Sequence, residues 1–461
     1  MRFFIVLCGL LLVSVLIATN LSCMSGKTRK IDHYIAAHEE INQFSGAVLV
    51  AQKGKILLSK GYGMANYEWN NRITPDTKFR IASVTKQFTA MAILQLQEKG
   101  LLSVSDTLNQ FISDYPRGSE ITLTHLLNHR SGIPNYTEIK DFGATEGRLS
   151  LSLEELIALF KDKPLNFTPG QKYEYSNSGY ALLTYIIEKA SGMPYEKYLQ
   201  ENIFQPLGMN HSGYDKNELI IKNRASGYTL DSSGIRRNAD YIDMSVPRGA
   251  GGLYSTIEDL YLWDRALYTN KLAPVSTLAA TIGSLTKDPV KNEYAYGWIL
   301  DDWFSHTLMW HNGSINGFSS SINRYINDDL CIIILSNLGK ASPESMCADI
   351  ARIVFDMPYE HPKKRTAITL DPALYDAYVG NYEETPELIL SITKANDHLF
   401  FQATGQPAFE IFPESETKFF YKTIDAQISF IKDASGKVTK LIFHYKGRDK
   451  TAKRLSDDKP S

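Results

Sequence analysis

Apolar and polar positions divide the chain into stretches of different character. Residues Phe3–Ala18 (FFIVLCGLLLVSVLIA) form one unbroken apolar run behind Arg2. That run is shorter than a membrane span needs and matches the apolar part of a signal peptide over residues 1–22. A helical pattern follows near Ile31–Ile41. Gly46–Ala51 and Lys55–Lys60 flank Gln52-Lys53-Gly54 and read as a β-hairpin. Thr74–Phe79 then leads into a helix from about Ser83 to Lys99. Phe88, Met91, Leu94 and the alanines give this helix a broad apolar face, and Gly100 stops it. Mixed helix and loop occupy roughly residues 101–300. Strand-like runs follow at Thr307–His311, Phe318–Ile326 and Leu330–Ser336, and a helix near Pro343–Asp356 closes the unit.

The pattern changes at 358–370, where Pro358, His361, Pro362 and the basic run Lys363-Lys364-Arg365 mark a linker. Beyond it, six short strand patterns appear, at Leu388–Thr393, His398–Ala403, Phe409–Phe412, Lys418–Thr423, Gln427–Ile431 and Lys440–Lys446. Turn signals such as Ala395-Asn396-Asp397 separate them. The expected organisation is a leader (1–22), a main unit (30–357), the linker, and a C-terminal all-β barrel or sandwich over 371–461.

Composition narrows the function classes. A length of 461 residues with 43% hydrophobic and 22% charged residues is that of a globular protein with a large core. The net charge of −2 gives no basic field, so no nucleic-acid partner is expected. Cys8 lies in the leader. Cys331 and Cys347 fall in apolar patterns and read as small buried side chains, and no metal-ligand spacing or cofactor motif is present. Leu21-Ser22-Cys23 places a cysteine after the apolar run as at bacterial lipoprotein processing sites. Asn20 stands where such sites carry an aliphatic residue. The expectation is an exported, periplasmic or cell-envelope protein, lipid-anchored through Cys23 or simply cleaved.

Three short segments carry the candidate chemistry: Ser83-Val84-Thr85-Lys86, Tyr175-Ser176-Asn177 and His311-Asn312-Gly313. Together they offer a nucleophile, two proton-transfer groups, a binding amide and a small residue, which suits acyl transfer through a serine ester. Each has rivals. Ser-x-x-Lys recurs at Ser284/Lys287, Ser391/Lys394, Ser415/Lys418, Ser429/Lys432 and Ser456/Lys459. Tyr-x-Asn recurs at Tyr268/Asn270 and Tyr325/Asn327, and His-x-Gly at His211/Gly213. Context favours the first set. Ser83 opens an apolar helix whose N-terminal amides favour negative charge, and Lys86 returns to the same face. The bland alternative there is an N-cap serine followed by a solvated lysine. Ser391, Ser415 and Ser429 lie in strand patterns, and His211/Gly213 in an expected surface loop. Tyr175 sits on a loop after Thr168-Pro169-Gly170. His311 ends a strand, where Gly313 would let a substrate backbone approach.

The ordered triple, with about ninety and then about 135 residues between its members, resembles the serine β-lactamase and penicillin-binding protein superfamily. Within it, the resemblance is to the class C β-lactamase, DD-carboxypeptidase and esterase branch, over roughly residues 30–357. ITLTHLLNHRSGIPNY (121–136), PLGM (206–209), GAGGLYS (249–255) and HNGSINGFSS (311–320) support it. The resemblance implies a mixed α/β fold, an antiparallel sheet flanked by helices with a helical subdomain. It also implies Ser83 as nucleophile, Lys86 as general base and Tyr175 as a partner in proton transfer. Asn177 would hold a substrate amide, the Ser83 and Ser314 amides an oxyanion, and His311 and Gly313 would line the substrate site.

One departure bears on substrate. His311-Asn312-Gly313 stands where β-lactamases of this branch usually carry Lys-Thr-Gly. A histidine of ordinary pKa, ~6.5, is mostly neutral at pH 7. If His311 binds a substrate carboxylate as imidazolium, kcat/KM for anionic substrates falls as pH rises through about 6–7.5. His125 and His129, spaced i, i+4, have no acidic or cysteine partner nearby and read as structural rather than as metal ligands. Gly249, Gly251 and Gly252 lack the strand-to-helix frame of a phosphate cradle and read as cleft lining or a tight turn. Three functional readings stand. The first is a serine hydrolase acting on a small-molecule or peptide substrate (a D-amino-acid peptide, a β-lactam or a small ester). The others are a penicillin-recognising sensor and an inert binding module.

Overall fold

A computed structural model describes residues 26–231, 234–274, 276–277, 293–422, 424–445 and 447–455. The leader over 1–22, Cys23, and the rival pairs Ser284/Lys287 and Ser456/Lys459 lie outside the described residues.

The main unit is a seven-stranded antiparallel sheet with helices on both faces. Helix α1 (Gly26–Glu40) takes in the Gly26–Lys30 turn ahead of the apolar pattern, where Thr28 is buried and Lys27 donates to the Val354 carbonyl at 2.6 Å. Strands β1 (Gly46–Gln52) and β2 (Lys55–Tyr62) form the expected hairpin. The remaining strands come from far along the chain: β3 (Glu293–Ala295), β4 (Trp298–Trp303), β5 (His306–Ile315), β6 (Phe318–Tyr325) and β7 (Leu330–Ser336). The order β3-β4-β5-β6-β7-β1-β2 sets the N-terminal hairpin against β7, with Gly46 opposite Ser336.

Side chains alternate between two cores, as the two-residue period of a strand requires. Ala47 and Leu49 of β1 and Ile333 and Leu335 of β7 join Phe88 and Met91 of helix α2 (Thr85–Glu98). Val48, Val50, Ile332 and Ile334 face the other way, onto Ile31 and Tyr34 of α1 and Met346 and Ile350 of the C-terminal helix Pro343–Val354. Both faces being covered explains the unbroken apolar runs GAVLVA and CIIIL. Cys331 and Cys347 are buried free thiols.

Beyond the linker, eight strands from Gly380–Thr385 to Arg448–Arg454 close into a barrel. A strand is present at each of the six expected places, though the one at Lys418 ends at Phe420, Thr423 and Lys446 lie outside the described residues, and Ser415 falls in a bend rather than a strand. The first and last strands carry no apolar signature. In each, one inward residue is buried, Tyr382 and Ala452, and their pairing (Tyr382 opposite Arg454) shuts the barrel and removes its edges. The barrel docks on the main unit at Gly447, where an added Cβ would stand 2.4 Å from the Ala348 Cβ. Arg352 donates to the Gly447 carbonyl at 3.1 Å, and Arg448 pairs with Asp301. Among the described residues, no helix is long and apolar enough to cross a membrane.

Candidate active site

Ser83 lies not at the first turn of an α-helix but in a 3-10 turn, Ala82–Val84, which leads into α2 at Thr85. Ala82 holds φ at +47°, a conformation costly for a residue with a side chain, directly before the nucleophile candidate. The turn is pinned to the sheet by Ser320 of β6, whose hydroxyl donates to the Ile81 carbonyl at 2.8 Å.

That contact accounts for Gly313. Strand β5 runs on through the His311-Asn312-Gly313 segment to Ile315, so the segment is mid-strand rather than at a strand end. Gly313 pairs with Ser320. A Cβ at 313 would lie 2.3 Å from the Ile81 carbonyl oxygen and 2.5 Å from Ser320 Oγ. The glycine therefore admits the protein's own Ile81–Ser83 turn, where the sequence pattern suggested access for a substrate backbone.

Two side chains converge on Ser83 Oγ. Lys86 Nζ stands 3.2 Å away, and the Tyr175 hydroxyl donates at 2.9 Å. Lys86 is fully buried and also donates to Asn177 Oδ1 at 2.8 Å and to the Ala250 carbonyl at 2.7 Å. None of these acceptors is charged. Burial therefore drives the Lys86 pKa well below its usual value. The aromatic faces of Tyr175 and Tyr180, with centroids 4.8 and 5.3 Å from Nζ, offset part of that cost. As a neutral amine, Lys86 keeps two donors for Asn177 and Ala250 and turns its lone pair toward Ser83, its longest contact. Burial pushes the Tyr175 phenol above its ordinary range while its bond to Ser83 pulls down, so this hydroxyl keeps its proton at neutral pH.

Tyr175 is on a loop, as expected, and the segment carrying His129 holds it there. The Gly132, Arg130 and His129 carbonyls accept from the amides of Asn166, Gly170 and Glu174 in turn. The His129 ring lies 4.3 Å from that of Tyr175, and its Nδ1 accepts from the Ser176 amide at 3.2 Å. His125 caps the helix Leu123–Leu127 through a capping box with Thr122. Both histidines are structural, and among the described residues no group of side chains could hold a metal ion. The supporting role of His129 was legible only as a structural residue within the segment ITLTHLLNHRSGIPNY.

His311 contradicts the carboxylate-binding expectation. It is 2% exposed, and both ring nitrogens are engaged. Nδ1 donates to the Asn312 carbonyl at 2.5 Å, and Nε2 accepts from the Tyr294 hydroxyl at 3.0 Å. Burial pushes its pKa down to about 3, and the nearby Lys86 adds to this wherever it carries its proton. The imidazole is neutral throughout the physiological range and faces the protein. Tyr294, which has no motif signature, was missed.

A cavity of about 300 Å³ opens over Ser83. Asn177, Thr137, Gly251 and Ser314 line it together with apolar side chains. Asn177 Nδ2 donates to Thr137 Oγ1 at 3.3 Å and faces this space, while its Oδ1 is taken by Lys86. Of the sequence candidates, Ser83, Lys86, Tyr175 and Asn177 meet directly, Ser314 lines the same cleft, and Gly313 and His311 stand behind it. Gly249 and Gly251 lie in a one-turn helix, Arg248–Gly251, and Gly252 follows it. The rival Gly213 belongs to a short strand paired with Leu253–Tyr254 instead of a surface loop.

Residues 31–354 match the family model described as beta-lactamase. The chain belongs to the beta-lactamase family. Membership makes it a serine hydrolase, and residues 364–454 match a domain of unknown function (DUF3471). Penicillin-binding protein 4* of Bacillus subtilis is 30% identical over 413 residues, covering 85% of this chain and 91% of the relative. The octameric penicillin-binding protein homologue from Pyrococcus abyssi superposes with a TM-score of 0.66 at 27% identity, over 92% of this chain and 99% of that one. D-amino acid amidase from Ochrobactrum anthropi, complexed with L-phenylalanine amide, gives a TM-score of 0.59 at 25% identity over 68% and 91% of the two chains.

Proposed function

We propose that this protein is an exported serine hydrolase that forms an acyl-enzyme on Ser83 from an amide or ester. The observation that carries the proposal is the convergence of Lys86 Nζ and Tyr175 Oη on one serine oxygen, with the lysine buried away from any carboxylate. A serine hydroxyl is a weak nucleophile until a base takes its proton, and a desolvated amine is such a base. In acylation, the Ser83 Oγ–H proton passes to Lys86 Nζ as Oγ bonds the substrate carbonyl carbon. The carbonyl oxygen then carries the negative charge, with the backbone amides of Ser83 and Ser314 as its donors. As the tetrahedral adduct collapses, the leaving nitrogen or oxygen takes a proton through the Tyr175 hydroxyl, which is resupplied from Lys86. Water reverses these transfers to release the acid, with Tyr175 relaying its proton. Asn177 Nδ2 orients the substrate, and Gly313 and His311 support the wall behind the serine.

Export rests on the apolar run Phe3–Ala18 behind Arg2, and Cys23 is the residue a lipid would occupy. The amidase likeness favours amides among the substrates. Intact-mass analysis after fluorophosphonate treatment tests the central claim. Wild type gains one adduct and Ser83→Ala gains none. An adduct on Ser83→Ala removes Ser83 from its role.

A further inference from the structure

We propose that the cleft selects substrates carrying no charge beside the scissile bond, neutral esters and amides with apolar flanks, and discriminates against those with a carboxylate there. This rests on Ser83 acylation as proposed above. Large apolar or aromatic side chains wall the cavity, Tyr136, Phe142, Ile242, Val246, Pro247 and Ile315, with Ala82 and Ala250 beside them. Its polar groups are neutral, the hydroxyls of Ser83, Thr137 and Ser314 and the amides of Asn177 and Asn316. Among the described residues that line it there is no lysine, arginine, histidine, aspartate or glutamate.

Four cations on adjoining elements, Lys86, Arg80, Arg224 and Arg248, are engaged by protein groups, and Arg148, which follows the lining residue Gly147, is exposed to solvent. Lys86 has three protein partners. Arg80 and Arg224 both pair with the buried Asp215, and Arg248 donates to the Leu151 carbonyl. His311, at the position where a carboxylate partner was expected, is buried, neutral and bonded at both nitrogens. A carboxylate entering this space would lose water and gain no opposite charge, whereas an uncharged flank would only bury apolar surface. Neutral dipoles suffice to orient an ester or amide carbonyl.

Gly143 gives a direct way to change this. It lines the cleft, is exposed, and has nothing within 4 Å of an added Cβ, so a side chain can be placed there without displacing its neighbours. The test uses the full chain and two matched pairs: phenyl acetate against 3-acetoxybenzoate, and N-acetyl-D-alanyl-D-alanine amide against the same dipeptide with a free carboxylate. The neutral member of each pair is expected to have about tenfold or higher kcat/KM. Gly143→Arg should shift that ratio toward the anionic member by about fivefold or more, while Gly143→Leu lowers both members together. Equal or better turnover of the anionic members by wild type overturns the inference, as does a ratio that Gly143→Arg leaves unmoved. The fluorophosphonate adduct separates the two claims. If it is absent from wild type, Ser83 acylation fails. If it forms on Ser83 and the anionic members are still preferred, only the charge selection fails.

Discussion

The main unit and the barrel are both closed around apolar cores, and they treat polar groups in opposite ways. The barrel core is aliphatic and aromatic, with Tyr378 stacked 4.4 Å from Phe430 and Phe401 4.8 Å from Phe443. Among the described residues, no buried polar or charged side chain lies beyond Ser345. The main unit, in contrast, buries Lys86, His129, His311 and Asp264, and it holds Ala82 in a left-handed conformation beside Ser83. A structural domain can satisfy every local preference at once. A site that must hold an amine neutral and a serine reactive departs from several of them, and its neighbours enforce the departure.

Experiments that separate stability from activity sharpen this contrast. Lys86→Met should show the largest effect, a loss of about 10³-fold or more in kcat/KM, with a Tm equal to or above wild type because a buried amine is replaced by an apolar chain of similar length. A Tm that falls in step with activity would instead make Lys86 a structural residue. On the barrel side the order reverses. Phe430→Ala removes a fully packed ring and should cost about 3–5 kcal/mol of barrel stability in denaturant unfolding. The acylation rate per Ser83 that still labels should stay unchanged, and a rate falling with stability would couple the two regions.

The pH dependence should divide likewise. Burial holds His38 down to about 4 and His311 down to about 3, against an ordinary ~6.5. A depressed histidine favours the unfolded chain once that chain can take up its proton. Stability is therefore full above about pH 6.5 and is lost as pH falls toward the folded values, at up to about 1.4 kcal/mol per pH unit for each histidine. Urea unfolding between pH 7 and pH 4 measures this loss, and a flat profile would contradict the buried neutral rings. Activity should fall on the acid side for a different reason, protonation of Lys86, whose lowered pKa sets the limb of kcat/KM. The smallest change belongs to Ala82→Gly. Relief at φ +47° should keep stability within about 1 kcal/mol of wild type, while acylation slows because the turn holding Ser83 loosens.

Much of the architecture was legible from one-dimensional pattern. Alternation and apolar runs marked the hairpin β1–β2, the strands β6 and β7, helix α2 and six barrel strands, because these elements bury regular faces. The two strands that close the barrel were not legible, since GNYEET and RDKTAKR each bury a single inward side chain and are strands only through their partners. The chemistry divided along the same line. Sequence order and motif context singled out Ser83, Lys86, Tyr175 and Asn177, which the fold brings into contact from positions about ninety residues apart.

The sequence by itself determined which residues could do the chemistry, because residue type and the local helix, loop or strand pattern are one-dimensional properties. Only the tertiary structure decided what state those residues hold. Whether Lys86 loses its proton, whether His311 carries charge, and whether Gly313 faces a substrate or the Ile81 carbonyl all depend on which distant groups exclude water from them. Desolvation and close approach are set by packing in three dimensions, and no spacing along the chain encodes them.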